Sequence, residues 1–218
     1  MINRFFGTVL LLTCLFSGTA QVQVSKEPRH HNVFENSWVR VLDVHITPGD
    51  TSLMHKHSTP SVFIILNNAK TGSQVMVEPA KLQLTDGNIW FEGFYDKPRI
   101  HRIWNVDTVE LHVIDMELPN KKNKAIDPPL DIPSFILFLE EKPVRGYRFT
   151  LAAQSTIQLP PRKAPIMVVA LTNTVGHVTA NNKIFIKKGD FVFIKPDTSI
   201  VFNNQGSASQ PFAVFELK

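Results

Sequence analysis

The chain has 218 residues, 43% of them hydrophobic and 19% charged, an ordinary balance for a globular protein with a core of its own. That length holds one large domain or two small ones. The net charge is +4, and the basic residues are scattered apart from Lys121-Lys122-Asn123-Lys124, which is too mild a balance for a nucleic-acid partner.

The first twenty residues stand apart. Arg4 supplies a positive start, Phe5 to Phe16 an apolar run, and Gly18-Thr19-Ala20 small residues before Gln21. This pattern predicts a secretory signal peptide over 1–20, too short and wrongly flanked for a membrane span. The mature protein is therefore expected in the periplasm or outside the cell, with no membrane association. Cys14, the only cysteine, lies inside the apolar run behind Leu12-Thr13, a poor lipoprotein site. The mature chain is left without a disulfide, a thiolate ligand or a cysteine nucleophile.

From Trp38 to Ile46 the residues alternate, with Val39 and Val41 on one side and Leu42, Val44 and Ile46 on the other, which predicts a strand closed by the Thr47-Pro48-Gly49-Asp50 turn. His55-Lys56-His57 follows, then the apolar run Val62 to Leu66. Further strands are expected at Gln74 to Pro79, Lys81 to Leu84, Trp90 to Tyr95, Arg99 to Asn105 and Val109 to Leu118. Short, evenly spaced strands with Gly and Pro turns predict an all-β barrel or sandwich. Between 119 and 146 the texture changes. Asp127-Pro128-Pro129-Leu130-Asp131-Ile132-Pro133 reads as a connector, and Ser134 to Glu141 as a short helix capped by Ser134.

Two histidines one residue apart face the same side of a strand and can offer both imidazoles to one metal ion. His55 and His57 follow Gly49; His101 precedes Asn105 by four residues, after Gly87 and Pro98. Together these segments resemble the cupin superfamily. Its first motif is a Gly, five residues, H-x-H, three or four residues and a Glu; its second is a Gly and a Pro before His-x-x-x-Asn. The glutamate slot falls here on Ser61 or Val62, so the carboxylate ligand is missing. The resemblance implies a cupin-type double-stranded β-helix (jelly-roll) barrel over 26–118. It also implies a divalent transition metal (Fe, Zn, Mn or Ni) on His55, His57 and His101, with Ser61 and Asn105 behind the ligands.

The segment 147–218 repeats the pattern. With Pro60 set on Pro165, Ser61 to Leu66 falls on Ile166 to Leu171; with Asn105 on Asn204, the glycine before the next strand falls near Gly189. In this register Pro160, Arg162 and Ile200 take the places of His55, His57 and His101, which gives a second cupin-like unit without ligands. A simple extension of the first sheet is the alternative.

Three neutral imidazoles leave open positions and the full +2 charge on an ion, which favours an anionic oxygen ligand. Such sites resemble those of the thiol and β-diketone dioxygenases among cupins, a superfamily that also includes isomerases, lyases and binding modules. Two classes of function stay open: an exported metal-dependent oxygenase, isomerase or lyase acting on a small oxygenated molecule, and a non-catalytic bicupin that binds a metal or small ligand. A homodimer fits either. Glu92 and Tyr95 are candidates for a base and a donor near His101, and His112 for reaching the interior. Trp90, Phe91, Phe94 and Trp104 are expected to fill the core. His30, His31, His45 and His177 have no partner at ligand spacing, and Arg162 is expected in an exposed turn.

Overall fold

The computed structural model describes residues 21–85, 87–119, 127–174 and 176–218; the expected signal peptide and Cys14 lie outside them. β-branched and aromatic runs, broken by Gly, Pro and Asn/Asp turns, form short strands throughout. In the first half these are β1 (Val22–Gln23), β2 (His30–Glu35), β3 (Arg40–Ile46), β4 (His55–His57), β5 (Ser61–Ile65), β6 (Lys70–Val75), β7 (Lys81–Leu84), β8 (Ile89–Glu92), β9 (Arg99–Asn105) and β10 (Leu111–Glu117). The second half holds β11 (Phe135–Glu140), β12 (Val144–Leu151), β13 (Ser155–Leu159), β14 (Ile166–Ala170), β15 (Val178–Ala180), β16 (Lys183–Phe185), β17 (Phe191–Ile194), β18 (Ile200–Asn204) and β19 (Gln210–Leu217).

Each half is a pair of sheets. The first pairs β1-β4-β9-β6-β7 with β2-β3-β10-β5-β8; the second pairs β13-β18-β15-β16 with β11-β12-β19-β14-β17. The strand orders correspond one to one, apart from β1. The duplication also shows in polar groups that the cross-strand register makes equivalent. Arg40 joins Glu35 (2.7 Å) and Glu117 (2.8 Å), and Arg145 joins Glu140 (2.5 Å) and Glu216 (3.0 Å) in the same positions. Asn105 donates its amide to the carbonyls of Ile46 and Val109, both at 2.8 Å. Asn204 does the same to those of Ala152 and Ala208, both at 2.9 Å. Gly87 and Gly189 enter β8 and β17 at φ +71° and +85°, a left-handed turn that glycine adopts without strain.

The same register corrects the sequence alignment by one place. His101 pairs with His55 and Ile200 with Leu159, so the counterpart of His55 is Leu159, not Pro160, and Arg162 is no ligand equivalent. Nor is Arg162 exposed. It is 9% accessible, and its Nε donates to Glu216 Oε1 at 2.6 Å. The expected helix from Ser134 to Glu141 is instead strand β11, paired antiparallel with β12. A bulge between Leu137 and Leu139 breaks its alternation, as one between Asn32 and Phe34 does in β2. The bulge erased the period of two that marks a strand. Consequently the second half's sheet begins inside the stretch 119–146.

The two halves meet face to face. Val41, Val62, Ile64, Ile114 and Met116 pack with Met167, Val169, Ala213, Phe215 and Leu217 in one buried cluster, where each larger aliphatic or aromatic side chain contributes about 1.5–3 kcal/mol on full burial. The barrel interiors differ. Tyr147, Phe149, Phe185, Phe202 and Phe212 pack the second with aromatic bulk. The first is lined by smaller groups, among them Val44, Ile46, Ile65 and Val113, and keeps a cavity of about 480 Å³.

Candidate metal centre

The short strand β4 turns His55 and His57 inward, at 0% and 2% accessibility, because both lie on the inner face of the pleat. Antiparallel pairing with β9 sets His101 directly opposite His55. The three rings lie 4.6–5.1 Å apart centre to centre, and Nε2 of His57 is 3.1 Å from Nε2 of His101. That is the separation of two nitrogens sharing one ion at about 2.0–2.1 Å in adjacent positions. A fourth ring, His30 on β2, reaches in from the opposite sheet and sits 4.7 Å from His55. Donor atoms of His30, His55 and His57 lie within 4.8 Å of one another. His30 had no partner at ligand spacing in the sequence, and only the closure of the two sheets supplies one.

Two of the outer nitrogens are held. His30 Nδ1 is 2.7 Å from Glu27 Oε2, and His55 Nδ1 is 2.8 Å from the Leu53 carbonyl. Those two bonds fix ring and tautomer, leaving Nε2 as the inward lone pair. Behind His57, Nδ1 lies 3.5 Å from Asp115 Oδ2, with no hydrogen bond between them. Nε2 of His55 is buried with no hydrogen-bond partner, an orphan that a cation would satisfy. Burial holds His55 down to about 4 and His101 to about 3, helped by the repulsion of neighbouring rings; His57 lies well below the ordinary value for the same reasons. All three are neutral imidazoles at neutral pH. The residues present therefore fit a borderline divalent metal, and the second barrel, with Leu159, Ile200 and Val214 in place of His55, His101 and Asp115, does not.

Two carboxyl groups complete the centre, and both went unnoticed in the sequence. Glu27 is 1% accessible. Burial works to raise its pKa, but bonds from His30 and from the backbone N–H of Leu53 and Arg29 outweigh it and hold it low, so it is a carboxylate. Asp115, 1% accessible, is pushed well above the usual range by burial and then by Glu117, and neither of its oxygens has a hydrogen-bond partner. Ser61, in the vacated glutamate slot, donates to the Thr59 carbonyl at 3.1 Å. The signal for Asp115 was present: an acid between Ile114 and Met116 in a strand too apolar to face water needs a partner inside. Asp115→Asn is expected to weaken metal binding about 10–100-fold, the usual cost of losing a group that orients a ligand. Competition against a chelator measures it.

The remaining sequence candidates lie elsewhere. Glu92 pairs with Arg99 at 3.0 Å, and Tyr95 is 61% exposed; neither lines the cavity. Asn105 ties strand ends beyond it. His112 projects from the other face of β10 and bonds Asp43 at 2.7 Å, so it does not reach the interior. Phe94 and Trp90, expected in the core, line the cavity with Phe63. Phe94 stacks on His57 at 5.5 Å and Trp90 on Phe63 at 5.0 Å. Arg99 lies over Phe94 at 5.8 Å and also lines the cavity.

Two barrels of this topology, one with a histidine-lined cavity and one filled, define a cupin fold in its two-barrel form. Solved structures agree on the fold. YhhW from Escherichia coli matches with a TM-score of 0.61 and 12% identity over 88% of this chain and 89% of that one. The nickel(II) complex of bacterial pirin YhhW from the same organism gives 0.59 and 14%, over 86% and 90%. Salicylate 1,2-dioxygenase from Pseudaminobacter salicylatoxidans gives 0.57 and 11%, over 83% and 71%. No protein-family model matches the sequence, and no curated protein does.

Proposed function

We propose that the first barrel holds one divalent transition-metal ion on Nε2 of His55, His57 and His101, with His30 as a fourth imidazole, and that the protein is an exported metal-dependent oxygenase, isomerase or lyase. The observation that carries this reading is the cluster of buried imidazoles: donor atoms of His30, His55 and His57 within 4.8 Å of one another and Nε2 of His57 3.1 Å from Nε2 of His101, with the outer nitrogens of His30 and His55 already held. The likeness to a nickel-bound pirin and to a dioxygenase supports it. A bound ion supplies Lewis acidity and, if redox-active, oxygen activation.

The chain's own residues select the substrate. All-imidazole ligation leaves the charge of the ion uncompensated, which favours an anionic oxygen. Phe63, Trp90 and Phe94 wall the cavity with flat apolar faces, suited to a planar molecule. Arg99, which lines the cavity and pairs with Glu92 through one nitrogen, offers its other guanidinium N–H groups to a carboxylate or enolate. Asp115 stands 3.5 Å behind His57, close enough to orient its ring when the metal binds.

Metal analysis of the purified mature protein, then oxygen uptake with a panel of small aromatic and aliphatic acids and diketones, tests the reading. About one equivalent of cavity metal with turnover is expected. Bound metal with neither ligand exchange nor turnover would make it a binding module, and a cavity that takes no metal would remove the proposal altogether.

A further inference from the structure

A second ligand cluster occupies the opposite face of the same sheet. Asp43 and His45, two residues apart on β3, project away from the cavity, and His112 is the cross-strand partner of His45 on β10. Nε2 of His112 lies 2.7 Å, and Nε2 of His45 3.2 Å, from one and the same oxygen, Asp43 Oδ1. The two imidazoles stack at 4.2 Å, and the other nitrogen of His45 is 3.2 Å from Glu110 Oε2. One donor atom from each of Asp43, His45 and His112 falls within 4.8 Å of the others. The cluster stands at the rim of the seam between the halves, where a Cβ on Gly189 would come 3.2 Å from His112 Cε1.

We propose that Asp43, His45 and His112 form a second site for a borderline divalent cation such as Zn²⁺, Cu²⁺ or Ni²⁺, separate from the cavity. Two imidazoles and a carboxylate are a donor set for these ions, and one that hard cations such as Ca²⁺ do not select. The pleat and the β3–β10 register, rather than a flexible loop, set the three donors side by side. Asp43 and Glu110 bring two carboxyl groups beside the imidazoles, a mixed oxygen and nitrogen donor set that a dication matches. The Asp43 and His45 side chains are 25% and 30% exposed, so water has access to complete the shell. Val44 and Val113, the immediate neighbours of these residues, line the cavity on the other side, so the backbone of the sheet separates the two sites.

Titration calorimetry with Zn²⁺ tests the site in the mature wild-type protein, His45→Ala, Asp43→Asn and His57→Ala, with circular dichroism to establish that each is folded. Wild type is expected to take up one equivalent more than His45→Ala or Asp43→Asn, and His57→Ala to retain that equivalent. Equal stoichiometry in wild type and both cluster variants would overturn the proposal, the zinc then being adventitious or confined to the cavity. The outcome is independent of the cavity reading: if only that reading fails, wild type binds one equivalent that His57→Ala keeps and His45→Ala loses.

Discussion

Replacing His57 by alanine is expected to lower metal affinity of the cavity by more than about a hundredfold, since loss of an orienting partner alone costs about 10–100-fold and here the ligand itself is removed. His57 is the hub of the cluster. Its Nε2 meets that of His101 at 3.1 Å, its Nδ1 faces Asp115, and Phe94 lies flat against its ring. The fold should survive, because the ring borders an existing cavity and removing it leaves a larger space, not a collapsed core. Metal content after equilibration against a chelator, set beside an unchanged circular dichroism spectrum, separates lost ligation from lost structure. Retention of metal by His57→Ala in a His45→Ala background, where only the cavity reports, would place the ion elsewhere.

The second large effect lies in the barrel without ligands. Glu216→Gln is expected to cost about 3–5 kcal/mol, the penalty for leaving buried charges unpaired, and to lower Tm by about 10 °C for a chain of this size. Glu216 is 0% accessible. It receives Arg145 at 3.0 Å, Arg162 at 2.6 Å and the Tyr147 hydroxyl at 3.2 Å, with both guanidinium groups buried. Among the described residues, its counterpart Glu117 pairs with Arg40 alone, whose side chain is 27% exposed and keeps Glu35. Glu117→Gln should therefore cost clearly less. Thermal denaturation of the two variants side by side gives the difference, and equal losses would mean that Arg162 adds nothing to the hub.

The contrast between these two glutamates shows what could be read from the chain and what could not. Alternation and turn residues are local signals, and they marked the all-β barrel; the resemblance of the segments holding Gly49, His55, His57, His101 and Asn105 to the cupin motifs pointed to three of the clustered imidazoles. Position along the chain carried no such signal for His30. It joins the centre only because β2 lies in the sheet opposite β4, and Glu27 arrives with it. Arg162 reads as a turn residue until Glu216, on the last strand, is placed beside it. The β11 bulge removed the alternation that would have named the strand. Asp115 is the instructive case, because an acid set in an apolar strand was visible in the residues themselves. What it faced was not, since that depends on which side of β10 is the inner one.

The most direct test of the cavity centre is X-ray absorption spectroscopy on His45→Ala loaded with one equivalent of zinc, so that only the cavity site reports. The account predicts a nitrogen-dominated shell at about 2.0–2.1 Å with the outer scattering of several imidazoles, abolished when His55 and His57 are also replaced. A shell of oxygens alone, or a spectrum unchanged by those replacements, would contradict it.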